Sequence, residues 1–161
     1  MNIKLKNYSS SAECKYELYT CRDAFPQFSG EFSGGNIYGI VSDYCCGSWG
    51  LVTCIGGRGN SDYDGQVYYN DIIISPDVLK QKSCFVTERI DDHLIVSEIL
   101  KYEMEQNHVH ETIEEIKRIF MLTDERFTRR MDCVSGEIWQ ISLAIGYASR
   151  KEIFCFPWLN G

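Results

Sequence analysis

The chain has 161 residues, of which 44% are hydrophobic and 24% are charged, and its formal net charge is −7. This length and composition predict one globular domain with a hydrophobic core and exclude a disordered chain. The negative charge argues against binding to nucleic acid, which requires a basic surface. The apolar runs are too short to cross a bilayer and the first residues show no secretion signal, so we expect a cytoplasmic protein without direct membrane insertion.

The N-terminal forty residues are typical of strands and turns. Apolar and polar residues alternate in "NIKLKN", "KYELYT" is rich in aromatic residues, and the glycines and serines of "SGEFSGGN" predict a turn over 29–36. A short apolar strand is predicted for "NIYGIVS", residues 36–42. The segment 48–55 then predicts a short helix that ends at the glycine pair 56–57.

The middle of the chain changes from strand to helix patterns. "DGQVYYND" predicts a strand between two turns, and "KSCFVTE" predicts a short buried strand. From residue 97 onwards, "SEILKYEMEQ" and "ETIEEIKRIFML" show helical periodicity. We expect one side of the second helix to be buried, with the residues Ile113, Ile116, Ile119 and Phe120. We expect the solvated face of this region to carry Glu103, Glu105, Glu111, Glu114 and Glu115.

The last part of the chain predicts a helix followed by a strand. "SGEIWQISLAIGYASR" predicts the helix, with Ser135 as its N-cap, and "KEIFCFPW" predicts a buried strand. Eight cysteines are present, most of them within apolar runs and none in a C-x-x-C pair, so we expect reduced, buried thiols without a metal. Strands, an inserted helical region, and then a helix and a strand indicate the α/β class.

Six segments, in this order, resemble the ATP-binding subunit of ABC transporters, a branch of the P-loop NTPase superfamily. "NIYGIV" and "SDYCCGSWGLVTCIGG" resemble the strand, phosphate loop and helix of that family, and "RGNSDYDGQVYYND" resembles the stretch that follows. "CFVTE" resembles the strand before the glutamine loop, with Glu88 in the place of the glutamine. "LIVSEIL" resembles the next helix, and "CVSGEIWQISLAIGYASRKEIFCF" resembles the signature segment and the strand carrying the magnesium-site acids.

The resemblance covers about residues 37–161 and implies an ABC-type P-loop NTPase-like core with an N-terminal β segment and an inserted helical subdomain. It implies a single domain over 1–161, with a β/α core at 1–90 that contains the phosphate loop at 42–50. The helical subdomain is expected at 91–135, and the signature helix and final strand at 136–161. Compared with the family, the sheet is expected to be incomplete at the C-terminus.

The phosphate loop departs from the family at the positions that bind nucleotide. Gly47 matches a family glycine and Gly50 ends the loop, but Ser48 stands where the family has lysine and Trp49 where it has the magnesium-binding hydroxyl. Each lost charge-assisted hydrogen bond costs about 1.5–3 kcal/mol. Any nucleotide contact of these four residues and of Glu88 is therefore doubtful.

The strand that should carry the acidic residues is also altered. Pro157 and Trp158 stand where the family has the magnesium-site Asp and the catalytic Glu, and neither binds a cation or accepts a proton. The resemblance therefore implies a pseudo-ATPase that has no catalytic residue, and that meets ATP and Mg²⁺ only through a partner subunit.

The signature-like segment is better preserved. Ser135 and Gly136 match the family pattern, whereas Glu137 replaces its second glycine. In ABC dimers this segment faces the nucleotide of the partner subunit, so the resemblance implies a possible contact in trans. The alternative is that Ser135 only caps a helix.

Three functions remain open at this stage. The first is an inactive subunit that scaffolds or regulates an ABC transporter at the inner membrane face. Its partner would be another ABC ATPase subunit, a second copy of itself in a dimer, or a membrane permease. The second is an ATPase that binds nucleotide through an atypical loop. The third is a frame repurposed as a module that binds a peptide or a protein.

Overall fold

The computed structural model describes residues 1–15, 20–43, 46–60, 63–86, 88, 93–134 and 136–156. The described residues form two compact units. We name them the N-terminal unit, Met1–Lys82, and the C-terminal unit, Ser83–Phe156.

An antiparallel sheet forms most of the N-terminal unit. Its strands are β1 (Asn2–Lys15), β2 (Thr20–Ser33), β3 (Asp64–Tyr69) and β4 (Ile72–Ile73), in the spatial order β2-β1-β3-β4. The helix α1 (Ser48–Ile55) packs against β1 and β2, and α2 (Pro76–Lys82) ends the unit. The predicted strand and turn in "DGQVYYND" are confirmed as β3 and the β3–β4 hairpin.

Two predictions for this unit need correction. The predicted turn over 29–36 is confined to its last residues, because β2 continues to Ser33 and pairs with β1 to its end. The predicted strand over 36–42 is wrong. This segment is irregular, and Ile37 and Val41 are 102% and 95% exposed. Apolar residues alone do not make a strand when no neighbouring strand pairs with the backbone and no core covers the side chains. "KYELYT" lies largely outside the described residues.

The C-terminal unit is a helical region beside a short parallel strand pair. Its strands are β5 (Ser83–Phe85) and β6 (Ile153–Cys155), and its main helices are α3 (Val96–Gln106), α4 (Ile113–Ile119), α5 (Asp124–Phe127) and α6 (Ile138–Ala148). The buried core of the helices contains Val96, Ile99, Leu100, Ile116, Leu122, Met131, Ile141, Ala144, Ile145 and Ala148. The strands and helices predicted from the sequence of this unit are therefore confirmed, with somewhat different bounds.

The predicted faces of α4 are correct in part. Ile116 is fully buried, and Ile113 and Phe120 pack against the core, but Ile119 is 51% exposed. Because each residue turns the helix by about 100°, the side chains of Ile119 and Ile113 point in directions roughly 120° apart. The predicted acidic face is exposed at three of its five positions, Glu105, Glu114 and Glu115. Glu103 and Glu111 are half-buried, and the Tyr147 hydroxyl donates a hydrogen bond to Glu111.

Helix α4 begins with a reciprocal capping box. The Glu115 N–H donates to Oγ1 of Thr112 at 3.3 Å, and the Thr112 N–H donates to Oε2 of Glu115 at 2.7 Å. The Thr112 N–H and hydroxyl bonds lower the pKa of Glu115. We predict that Thr112→Ala lowers the free energy of unfolding by about 1 kcal/mol, because one amide of the first turn loses its acceptor. Urea unfolding measures this change. Thr112→Ser keeps the hydroxyl and should stay near the wild type, and equal losses in both variants would contradict the assignment.

Candidate functional site

The site begins where the chain enters α1. Gly47 is the N-cap residue of this helix, with φ of 98° in the left-handed region, and the side chain of Ser48 is half-buried. The predicted helix 48–55 is confirmed, and it ends at Gly56 as predicted. Before Gly47, the Cys46 N–H donates to the Asp43 carbonyl at 3.1 Å, and residues 44–45 of the predicted phosphate loop lie outside the described residues.

The N–H groups at the start of α1 meet a carboxylate of the same chain. Asp23 lies on β2 and is only 2% exposed. Its Oδ1 accepts the Gly47 N–H at 2.8 Å, and its Oδ2 accepts the Gly50 N–H at 2.8 Å. The first N–H groups of a helix have no partner within the helix, and the helix dipole favours an anion there. At these two positions Asp23 takes the place that an external anion would require.

The two glycines of the loop allow α1 to lie directly on β2. A Cβ at Gly47 would be 2.4 Å from Cβ of Phe25, and a Cβ at Gly50 would be 2.7 Å from the carbonyl oxygen of Asp23. The Phe25 ring in turn stacks on Tyr8, with ring centroids 6.2 Å apart, and burial raises the pKa of Tyr8. The glycines that resemble those of a phosphate loop therefore allow close contact between α1 and β2.

Ser48 and Trp49 are positioned by the first turn of α1. Both are half-buried, and the Trp49 carbonyl accepts the Thr53 hydroxyl at 2.6 Å. The backbone of Lys80 lies at the other end of this helix, since a Cβ at Gly57 would be 2.3 Å from the Lys80 nitrogen. A helix of eight residues is about 12 Å long. Lys80 therefore does not lie beside Ser48, the position that resembles the family lysine.

Glu88 lies just after β5 in the C-terminal unit. Its side chain is exposed, and its N–H donates to the Phe85 carbonyl at 2.9 Å. This turn directly after the strand agrees with the strand predicted from "KSCFVTE".

The signature-like segment differs from its prediction at the start of α6. The N-cap residue is Glu137, so the prediction of Ser135 as the N-cap is wrong; Ser135 itself lies outside the described residues. The Glu137 carboxylate does not cap α6 but reaches the start of α5. Its Oε2 accepts the Thr123 hydroxyl at 3.2 Å, and its Oε1 lies 3.7 Å from Nε of Arg126. These partners hold the carboxylate within the C-terminal unit.

Gly136 presents an open surface immediately before Glu137. It is exposed, and apart from its chain neighbours no atom of the described residues lies within 4 Å of a Cβ built on it. The adjacent α6 residue Gln140 is half-buried, and its Oε1 accepts no hydrogen bond from the described residues. Pro157 and Trp158, the two residues in the place of the family acids, lie outside the described residues.

The described residues contain no group of three or more His, Cys, Asp or Glu side chains that is suited to a metal ion. Among the helices in this part of the chain, none is long and apolar enough to span a bilayer.

Sequence reasoning missed Asp23, although a signal was present. In β2 the side chains of Arg22 and Ala24 are exposed, whereas those of Asp23 and Phe25 are buried. This period of two places Asp23 on the buried face of a strand. A carboxylate at an inward position requires hydrogen-bond donors, so the alternation predicts that a set of donors faces this strand.

The contact between α1 and β2 leads to a stability prediction. Gly47→Ala places a Cβ in the left-handed region and against Phe25, which together should lower the free energy of unfolding by about 2–5 kcal/mol. Gly35 is a matched control, since it has φ of 80° and open space around it. Gly35→Ala should cost only the backbone strain of about 1–2 kcal/mol. Chemical denaturation of both variants checks this, and equal losses would show that α1 does not pack tightly on β2.

Comparison with known proteins gives a consistent result for the fold. No family model matches the sequence, and no curated protein matches it significantly. Solved structures do match. The chain superposes on a bacterial ABC transporter cassette solved as a dimer, with a TM-score of 0.67, 17% identity, and coverage of 94% of this chain and 72% of the other.

Two more structures agree with the first. A protein from Pyrococcus furiosus named as an ABC transporter ATP-binding protein matches with a TM-score of 0.61 and 17% identity, over 96% of this chain and 74% of the other. A protein named as a cobalt transport ATP-binding protein matches with a TM-score of 0.64 and 18% identity, over 94% of this chain and 57% of the other. At these identities the likeness establishes the fold, and it confirms the predicted α/β architecture. The chain has the fold of an ABC transporter ATP-binding cassette.

Proposed function

We propose that this chain is a catalytically inactive ABC-type subunit that scaffolds or regulates a transporter. It keeps the frame of an ATP-binding cassette and contributes shape to an assembly. Its partner is an active ATPase subunit, a second copy of itself, or a membrane permease. In this role it is cytoplasmic and lies at the inner membrane face through that partner.

The observation that carries this proposal is the start of α1. The loop-to-helix frame is present, with Gly47 in the left-handed region, but the first helical residue is Ser48 and brings no positive charge. Asp23 adds a carboxylate that already accepts the N–H groups of Gly47 and Gly50. A triphosphate at this point would meet a negative charge and lack the lysine, and both effects weaken binding.

The signature-like segment supports a role in pairing. The resemblance to ABC cassettes implies that this segment faces the other subunit in a dimer, and here Gly136 is exposed. The Glu137 carboxylate is engaged with Thr123 and Arg126, so it is turned towards α5. A partner that approaches this surface meets a small residue and a carboxylate that already has partners.

The first test is nucleotide binding by the isolated chain. We predict a Kd for Mg-ATP weaker than about 1 mM, which corresponds to less than about 4 kcal/mol of binding free energy. Isothermal titration calorimetry measures it, with an intact ABC cassette as the positive control. A micromolar affinity that depends on magnesium would overturn the proposal and favour the nucleotide-binding alternative.

The second test is the turnover of a reconstituted pair. The partner is identified by co-purification from the native cell, and its ATPase rate is measured with wild-type chain and with Gly136→Asp. The open space at Gly136 makes this variant compatible with folding. The scaffold role predicts an unchanged rate.

Gly136→Asn is the matched control, because it has the same bulk without the charge. A large loss of rate in Gly136→Asp that Gly136→Asn does not share, with pairing intact, would show that this segment contacts the partner's nucleotide. The chain would then be part of an active site and not only a scaffold.

A further inference from the structure

Asp23 is a buried acidic residue with both carboxylate oxygens directed at the start of a helix. We infer that Asp23 is an internal ligand that closes the N-terminus of α1 to external anions. We also infer that the same two amides accept a small free carboxylate once the Asp23 side chain is removed. This inference rests on the proposed function and deepens it. In an inactive cassette, the contact between Asp23 and α1 would inhibit the binding of external anions at the start of the helix.

Burial makes the contact obligatory for the folded chain. Transfer of a carboxylate into the protein interior is costly unless hydrogen bonds replace those to water. Among the described residues, the donors to this carboxylate are the N–H groups of Gly47 and Gly50, each at 2.8 Å. The two amides are also helix N-terminal donors that need an acceptor. The carboxylate therefore supplies the acceptors that the two amides need, and the amides supply the donors that the carboxylate needs.

The sheet holds Asp23 in this position. In the β1–β2 ladder Asp23 is the partner of Ala12, and its neighbours Arg22 and Ala24 are paired with Glu13 and Ser11. A Cβ built on Gly50 would lie 2.7 Å from the carbonyl oxygen of Asp23. Because the backbones of the strand and the helix are in direct contact, the Asp23 carboxylate is held at the two amides of the helix.

Removal of the Asp23 carboxylate leaves a gap that has the size of a carboxylate group and is faced by two N–H donors. Asp23→Ala keeps the Cβ and deletes a group with the size and charge of formate. The N–H groups of Gly47 and Gly50 then face this gap without their acceptor. Formate restores both hydrogen bonds without any covalent change, whereas chloride is a single atom and cannot place a separate acceptor at each amide.

The experiment measures thermal unfolding of Asp23→Ala in sodium formate and in sodium chloride at equal ionic strength. We expect a lower midpoint than the wild type in chloride, and a midpoint that rises with the logarithm of the formate concentration once formate exceeds its Kd. At a formate concentration 100 times its Kd, the ratio of folded to unfolded chain should increase about 100-fold. If Asp23→Ala does not fold in chloride, the yield of refolding in formate is the readout.

Two control variants separate this effect from general salt stabilisation. Asp23→Asn fills the gap and should show no specific response to formate. Thr112→Ala loses a helix cap in the C-terminal unit and should likewise respond to formate no more than to chloride. The inference is overturned if Asp23→Ala is as stable as the wild type. It is also overturned if its response to formate does not exceed that of Thr112→Ala. Neither result depends on whether the wild type binds ATP. Failure of the formate experiment can therefore be distinguished from failure of the proposed function.

Discussion

The N-terminal unit depends on the pairing of a buried carboxylate with the first amides of a helix. Asp23 is almost fully buried, and it is stable there because Gly47 and Gly50 direct two N–H groups at it. A charge without such partners would not remain inside a protein. The contact fixes α1 on β2, and it requires glycine at both helix positions because any side chain would meet the strand. One acidic residue therefore determines how the loop-to-helix element is built.

In the proposed function, this contact accounts for how a chain with the fold of an ABC cassette would do without nucleotide at the start of α1. In a phosphate loop, glycines and helix N-terminal amides face a ligand. Here the glycines at 47 and 50 face β2, and the amides bind Asp23. At these two amides the protein itself supplies the anion.

Sequence patterns predicted the elements whose signal is local. The helices that became α1, α3, α4 and α6 have apolar periodicity and end signals within a few residues. The failures came from interactions between distant segments. Residues 36–42 have the composition of a strand but pair with no strand among the described residues. The N-cap of α6 is Glu137 and not Ser135, and the Glu137 carboxylate bonds to Thr123, fourteen positions earlier. Asp23 was missed because its partners lie more than twenty residues away along the chain.

Hydrogen exchange at the Gly47 and Gly50 amides tests the central claim most directly. The rates are followed by nuclear magnetic resonance in the wild-type chain, without nucleotide and with Mg-ATP. Amides bonded to a buried carboxylate are protected from exchange until the unit opens. The account predicts slow exchange at both glycines without nucleotide and no change when Mg-ATP is added. Fast exchange without nucleotide, followed by protection when Mg-ATP is added, would contradict it.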